Sequence, residues 1–292
     1  MKYSKSHKLT IITIFILFLS CKKGNEIIAS KIPFVSGKVN NVNIEIASRS
    51  QISYLNHFET TRGYVGFNIN ENIGCSGDPI NNFEDFISLS GFTSNSSLLE
   101  DDVKYISVGN LIIAGNSVPI NEKKVYEWKP NGVNLSNLYG NEVSFSIDGN
   151  TNFGYPKTEI SMYIPKLLNI QYANSTIDSY LEISRIGNFQ INWDSDSKNE
   201  NGVLILLRPT SYLSNGVPNP DKPVINSPQN VILAIDDGNY IFKQSDFTGF
   251  PNEVHLQVLI MRGNIAIANI DGCKTKFMVY EVNFLTCLSL KN

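Results

Sequence analysis

The chain has 292 residues, with 24 Lys and Arg against 27 Asp and Glu for a formal net charge of -3, and only 17% of its residues are charged. A mildly acidic balance excludes binding to nucleic acid through phosphate neutralisation. Low charge together with abundant Asn, Ser, Gly, Ile, Tyr and Phe favours strands and turns over long solvated helices, so an all-β fold is expected.

In chain order, Lys2, Lys5 and Lys8 form a positive n-region, residues 9–19 (LTIITIFILFL) an uncharged apolar run, and the small Ser20 stands before Cys21. A run of about eleven residues is too short to span a bilayer and has the layout of an export signal. Phe18-Leu19-Ser20-Cys21 resembles the lipobox of bacterial lipoproteins. That resemblance implies cleavage before Cys21, lipid attachment at Cys21, and a membrane partnership made through that lipid. With Lys22 rather than Asp after the cysteine, it implies an outer-membrane lipoprotein of the cell envelope. The alternative is an ordinary secretory signal with Cys21 as a spectator thiol, for which a small-x-small cleavage site is hard to find nearby.

The expected organisation is a signal peptide over 1–20, a polar lipid-anchored linker over 21–31, a β-sandwich domain over 32–165 and a second over 166–292. Loss of Lys2, Lys5 and Lys8 with the signal leaves 21 basic residues against 27 acidic, a net charge near -6. Alternation predicts half-buried strands over 41–48 and 64–69, then an irregular stretch over 70–100 with a short helical turn. A meander is expected from 105–108 and 111–114 around Gly109-Asn110, with a second hairpin-type turn at Gly115-Asn116. Strands over 125–128, 143–147 and 159–164 follow, and Pro165-Lys166 marks the domain boundary. The second half is read as strands over 167–172, 188–193, 202–208, 231–235, 240–243, 253–261 and 265–268, with a long terminal strand from Phe277.

Phe189-Gln190-Ile191-Asn192-Trp193, the apolar run 202–208, and Tyr240-Ile241-Phe242 leading through Phe247 and Phe250-Pro251 into Val254, Leu256, Val258 and Ile260 resemble a fibronectin type III domain. The resemblance implies an immunoglobulin-like sandwich with Trp193 in its core, and makes 209–229 an insertion. The match of Asp236 to Tyr240 to the immunoglobulin D-x-G-x-Y motif is read as a plain turn at Asp236-Asp237-Gly238.

Cys75, Cys273 and Cys287 remain besides Cys21, an odd count that allows at most one internal bridge. The residues between Cys273 and Cys287 alternate as one long strand, along which fourteen residues span about 46 Å, beyond disulfide reach unless the chain reverses near Asn283. No H-E-x-x-H, G-x-S-x-G, P-loop or G-x-G-x-x-G spacing occurs, so no catalytic residue is assigned and no cofactor is expected. His255 is expected on the solvent side of its strand, and His57 in a polar neighbourhood. Asp194, Asp196, Asn199 and Asn201 before Gly202 have the oxygen-rich alternation of a calcium loop, interrupted by Lys198; the competing reading is an Asp/Asn-rich hairpin turn. Tyr126, Trp128 and Tyr139 are candidate glycan-stacking rings if exposed and core if buried. The expected function is a non-enzymatic binding or structural module for an envelope protein or glycan partner. Its rival is a hydrolase or glycan-processing enzyme with dispersed acidic residues.

Overall fold

The computed structural model describes residues 36–39, 42–46, 61–73, 85–94, 103–128, 135–172, 180–187, 189–225, 229–270 and 273–291. The fold is all-β and sandwich-like, with no α-helix among these residues and three short 3-10 turns at Leu135–Leu138, Thr151–Phe153 and Gln244–Phe247. The strands are β1 Ser36–Val39, β2 Val42–Ile46, β3 Thr61–Ile73, β4 Asp85–Phe92, β5 Leu111–Ile113, β6 Asn116–Val118, β7 Tyr126–Trp128, β8 Glu142–Ile147 and β9 Thr158–Tyr163. They continue with β10 Gln171–Tyr172, β11 Leu181–Ser184, β12 Gln190–Asn192, β13 Val203–Ser214, β14 Val217–Pro223, β15 Asn230–Ala234, β16 Asn239–Ile241, β17 Val254–Ile270 and β18 Cys273–Lys291.

The hairpin of β17 and β18 organises the molecule. Its 17-residue first strand is about 56 Å long at the usual rise per residue. Toward the tip the hairpin is flanked by β2 on one side and β3 on the other; toward its base, by β13 and by β11, which runs parallel to β18. One hairpin therefore serves two cores. Ala266, Ala268, Phe277 and Val279 join the first, with Phe67, Phe92, Phe145 and Tyr155, while the four-stranded sheet β6-β5-β8-β9 forms a separate sheet whose Val143, Phe145, Ile147 and Ile160 belong to the same core. Val254, Leu256, Val258, Ile260, Leu285, Leu288 and Leu290 join the second, with Ile191, Trp193 and Ile205. Along the chain the first core gives way to the second between Ile164 and Leu168, around Pro165-Lys166, and the hairpin then returns residues of the second half to the first core.

Two expected strands, 253–261 and 265–268, are one strand, because the glycine between them is a point of close approach rather than a break. A Cβ at Gly263 would lie 2.3 Å from the Val279 carbonyl oxygen and 2.5 Å from Tyr280 Cβ. The apolar alternation of β18 also changes face. Between Leu256 and Val258 the partner strand passes from Leu288 to Leu285, a bulge that inserts one extra residue. Val282 thus lies with Leu204, Leu206, Leu259 and Met261 on the opposite face from Leu285, Leu288 and Leu290.

Other differences have local causes. Within the stretch expected to be irregular, residues 85–92 form a strand, stabilised by pairing with β3 on one side and β7 on the other. Gly109-Asn110 is not a hairpin turn; Tyr105 makes only an isolated bridge to Thr93. The hairpin forms at Ala114-Gly115, whose positive φ values of 49° and 78° fit a type I′ turn. The Pro-rich residues 217–223 are the strand β14, which among the described residues pairs only with β13, an edge where missing N–H donors cost little.

Candidate functional site: a buried polar junction

Where the chain passes from one core to the other, polar groups of backbone and side chain from five places converge. The crossing segment 164–168 follows β9. The loop 193–202 and the turn at Asp236 come from the second core, while Arg262 and Asn264 on β17 and Glu281 and Asn283 on β18 are set into the middle of the long hairpin. Each is buried for a geometric reason: the hairpin is covered along its length, so a polar residue in an inward register position meets protein instead of water.

Arg262 is 1% exposed and serves as the hub. Its Nη2 donates to Asp236 Oδ1 at 2.6 Å and to the Asp194 carbonyl at 2.6 Å, and Nη1 donates to the Lys166 carbonyl at 3.0 Å. Asp236 also accepts from Trp193 Nε1 at 2.8 Å and from Asn199 Nδ2 at 2.8 Å, so its carboxylate has three donors. The turn behind it is closed by Gly238, whose carbonyl accepts the Trp193 N–H at 2.9 Å and whose φ of 99° favours glycine.

Asp196 accepts from the Tyr163 hydroxyl at 2.8 Å, the Lys166 N–H at 2.9 Å and the Lys198 N–H at 3.1 Å. Burial opposes its charge, but these donors and the nearby Arg262 outweigh it and hold the carboxyl below its ordinary value. Asn264 donates to the Tyr163 carbonyl at 2.6 Å and accepts from Asn201. Glu281 accepts the Leu168 N–H at 2.5 Å and an Asn283 amide N–H at 2.9 Å. Burial pushes its carboxyl up to about 8; the two donors and Arg262 pull the other way, and Glu71 adds to the rise.

Asp194, Asp196, Asn199 and Asn201 therefore do not converge on a common point. Asp194 is exposed, and among the described residues its side chain accepts only a long 3.4 Å contact from Asn169. Asn199 and Asn201 turn their amide nitrogens toward Asp236 and Asn264, whereas a hard cation requires oxygens. The loop is organised by the guanidinium of Arg262. Among the described residues no group of three or more His, Cys, Asp or Glu is placed to hold a metal ion.

Tyr126, Trp128 and Tyr139 are 1%, 7% and 8% exposed and pack in the first core, so they present no stacking platform. The Tyr126 hydroxyl accepts the Val108 N–H and donates to the Gly109 carbonyl, and Tyr139 donates to the Tyr280 carbonyl at 2.9 Å. These bonds satisfy the polar ends of otherwise apolar rings. Trp193 lies in the second core as its resemblance-based placement implies.

His255 is half-buried instead of solvent-facing. It sits between two bulges, with Thr210 Oγ1 2.6 Å from Nδ1, the Thr286 carbonyl at Nε2, and the Tyr180 ring edge-on at 5.5 Å. Because a carbonyl only accepts, Nε2 carries the proton and Nδ1 accepts from Thr210. Burial lowers the imidazole below its ordinary value, partly offset by the bond to Thr286. Cys21, His57 and Cys75 lie outside the described residues, and Cys273 and Cys287 stand fourteen positions apart on the unreversed strand β18.

The polar hub was missed from sequence, although a signal for it exists. Arg262 is the lone cation within the apolar run 254–270, and Glu281 interrupts the apolar run 277–285. Charges in runs that must be covered on both faces have to find partners inside.

Compared with known proteins, the chain matches no family model and no curated sequence.

Proposed function

We propose that this chain is a lipid-anchored protein of the bacterial cell envelope, held to the outer membrane through Cys21. Its β-sandwich units act as a non-enzymatic binding or structural module for a protein or glycan partner. The observation that carries the module reading is the shared hairpin: two cores are joined through one pair of strands, and the polar groups between them are bonded to one another. Such an arrangement displays surface loops at the ends of a long sheet. Near the base of the second core, exposed apolar side chains stand on the turn after β11, Ile186 at 77%, and on the β13–β14 hairpin, Val217 at 54% and Tyr212 at 41%.

The second core also supports a fibronectin type III-like reading. β10, β12 and β16 form a three-stranded sheet, and β15, β13, β17 and β18 pair in that order in another. This is the strand division of that sandwich class. Anchoring is tested by detergent phase partition of the wild type and Cys21→Ser; the wild type should enter the detergent phase and the variant should stay aqueous or unprocessed. Equal partition of both would overturn the anchor. Cross-linking on intact envelopes followed by identification of the captured species tests the partner.

A hydrolase is the second reading, and one observation favours it. Thr210, His255 and the Thr286 carbonyl have the order of a nucleophile, a base and an orienting acceptor. A phosphonofluoridate probe discriminates: covalent labelling of Thr210 that is lost in His255→Gln supports the hydrolase, and an unlabelled Thr210 supports the binding module.

A further inference from the structure

We propose that the polar junction is a proton-controlled latch, in which protonated Glu281 keeps the crossing segment 164–168 seated on the hairpin and loss of that proton releases the segment while both cores stay folded. The geometry supplies the grip. Arg262 and Glu281 are register partners on β17 and β18, and between them they hold three consecutive residues. Arg262 takes the carbonyls of Lys166 and Leu167, and Glu281 takes the N–H of Leu168. No other place in the described structure has two adjacent hairpin side chains closing on one connecting segment.

Charge balance makes the grip proton-dependent. The groups facing Glu281 are Arg262 from β17, Glu71 from β3 and Tyr139 from the 3-10 turn region; Asp236 and Asp196 reach it through Arg262. Tyr163 and Lys166 of the crossing region are bound to Asp196. The guanidinium of Arg262 is committed to Asp236 and to three backbone carbonyls, and among the described residues no second cation acts on Glu281. An ionised Glu281 adds a further negative charge to a water-poor site that already holds Asp236 and Asp196.

Opening admits water to the carboxyl and restores its ordinary value. The Glu281 carboxyl stands at about 8 when seated against 4.5 in water. By linkage, raising the pH across that interval shifts the seated-to-open ratio by on the order of 10³ toward open. The Leu168 N–H bond to an ionised carboxylate is stronger than to a neutral one, yet one hydrogen bond is a smaller term than stranding an uncompensated buried charge.

The test is amide hydrogen exchange of the full chain from pH 6 to 9.5, corrected for the intrinsic pH dependence and read on peptides covering 164–168 and on β13 as the core reference. Protection of 164–168 should fall at least tenfold relative to β13 through a midpoint near 8 in the wild type, and stay flat in Glu281→Gln, whose neutral amide keeps the shape. Flat wild-type protection would overturn the latch, as would a Glu281→Gln that follows the wild type. A wild-type measurement stands independently of the variant's folding: the side-chain carboxyl carbon of Glu281, followed by NMR, should titrate near 8, and a midpoint below 6 would overturn it.

Discussion

Arg262 and Glu281 stand directly opposite each other on the long hairpin, but they do not form the ion pair that this register invites. The guanidinium bonds to Asp236 at 2.6 Å, and Glu281 accepts the N–H of Leu168. A cross-strand pair of opposite charge has been divided so that both members hold the crossing segment, while Arg262 alone also reaches Asp194 and Asp236. The guanidinium of Arg262 neutralises the turn carboxylate, and the strand carboxyl, which accepts N–H bonds from Leu168 and Asn283, has no ion-pair partner among the described residues.

Stability should therefore fall as pH rises. Glu281 is raised from 4.5 to about 8 in the folded state, so its favourable contribution is complete below about 4.5 and is lost progressively as pH rises through about 8. Thermal melts of the wild type at pH 6 and 9 should show a lower midpoint at 9, and Glu281→Gln should abolish most of that difference. Equal pH dependence in the two proteins would place the alkaline loss elsewhere.

Removing one member of the Arg262–Asp236 pair should cost more than removing both. Their side chains are 0% and 2% exposed, so Asp236→Ala leaves an uncompensated guanidinium in the interior, at a cost of about 3–5 kcal/mol. The double variant Arg262→Met/Asp236→Leu substitutes apolar volume for both charges and should lose less than Asp236→Ala alone. Urea denaturation gives the comparison; strictly additive losses would mean that the pair is not energetically coupled.

The acid side of the profile belongs in part to His255. Burial holds its imidazole below the ordinary value of 6.5, so the unfolded chain takes up the proton first. Its contribution is then lost as pH falls below about 6.5. His255→Gln should flatten the change in urea midpoint between pH 7 and 5, and a slope equal to the wild type would assign that loss to other groups.

How far the fold was legible depends on what each residue senses. Strand positions in the second half were readable because Ile191, Val203, Ile205 and Val258 report burial through local alternation. The joining of 254–270 into one strand was not, because Gly263 is a breaker in sequence and a close-packing point only once Tyr280 is beside it. The pairing of β4 with β7 and β3 was hidden for a similar reason, since its partners are distant in the chain. At the site, Asp194, Asp196, Asn199 and Asn201 were singled out as oxygen donors. What distinguishes a loop built around a cation from one built around a guanidinium is Arg262, more than sixty residues away.

Trp193 provides the last test, because two separate roles meet in one side chain. Its ring is 5% exposed in the second core, and its indole N–H donates to Asp236 at 2.8 Å, tying the core to the junction. Trp193→Ala should cost about 3–5 kcal/mol through lost burial and the residual cavity, a large share of a domain's usual 5–15 kcal/mol. Trp193→Phe should restore most of the packing while leaving Asp236 with one donor fewer, so its loss should be smaller. Trp128→Ala should be comparably severe, because that ring is 7% exposed in the first core. The melts must use the full chain, since an isolated segment 166–292 would uncover Ala266, Phe277 and Val279, which the first core buries. A Trp193→Ala variant that melts together with the parent would show that the indole contributes nothing to the second core, and the packing derived for that sandwich would have to be withdrawn.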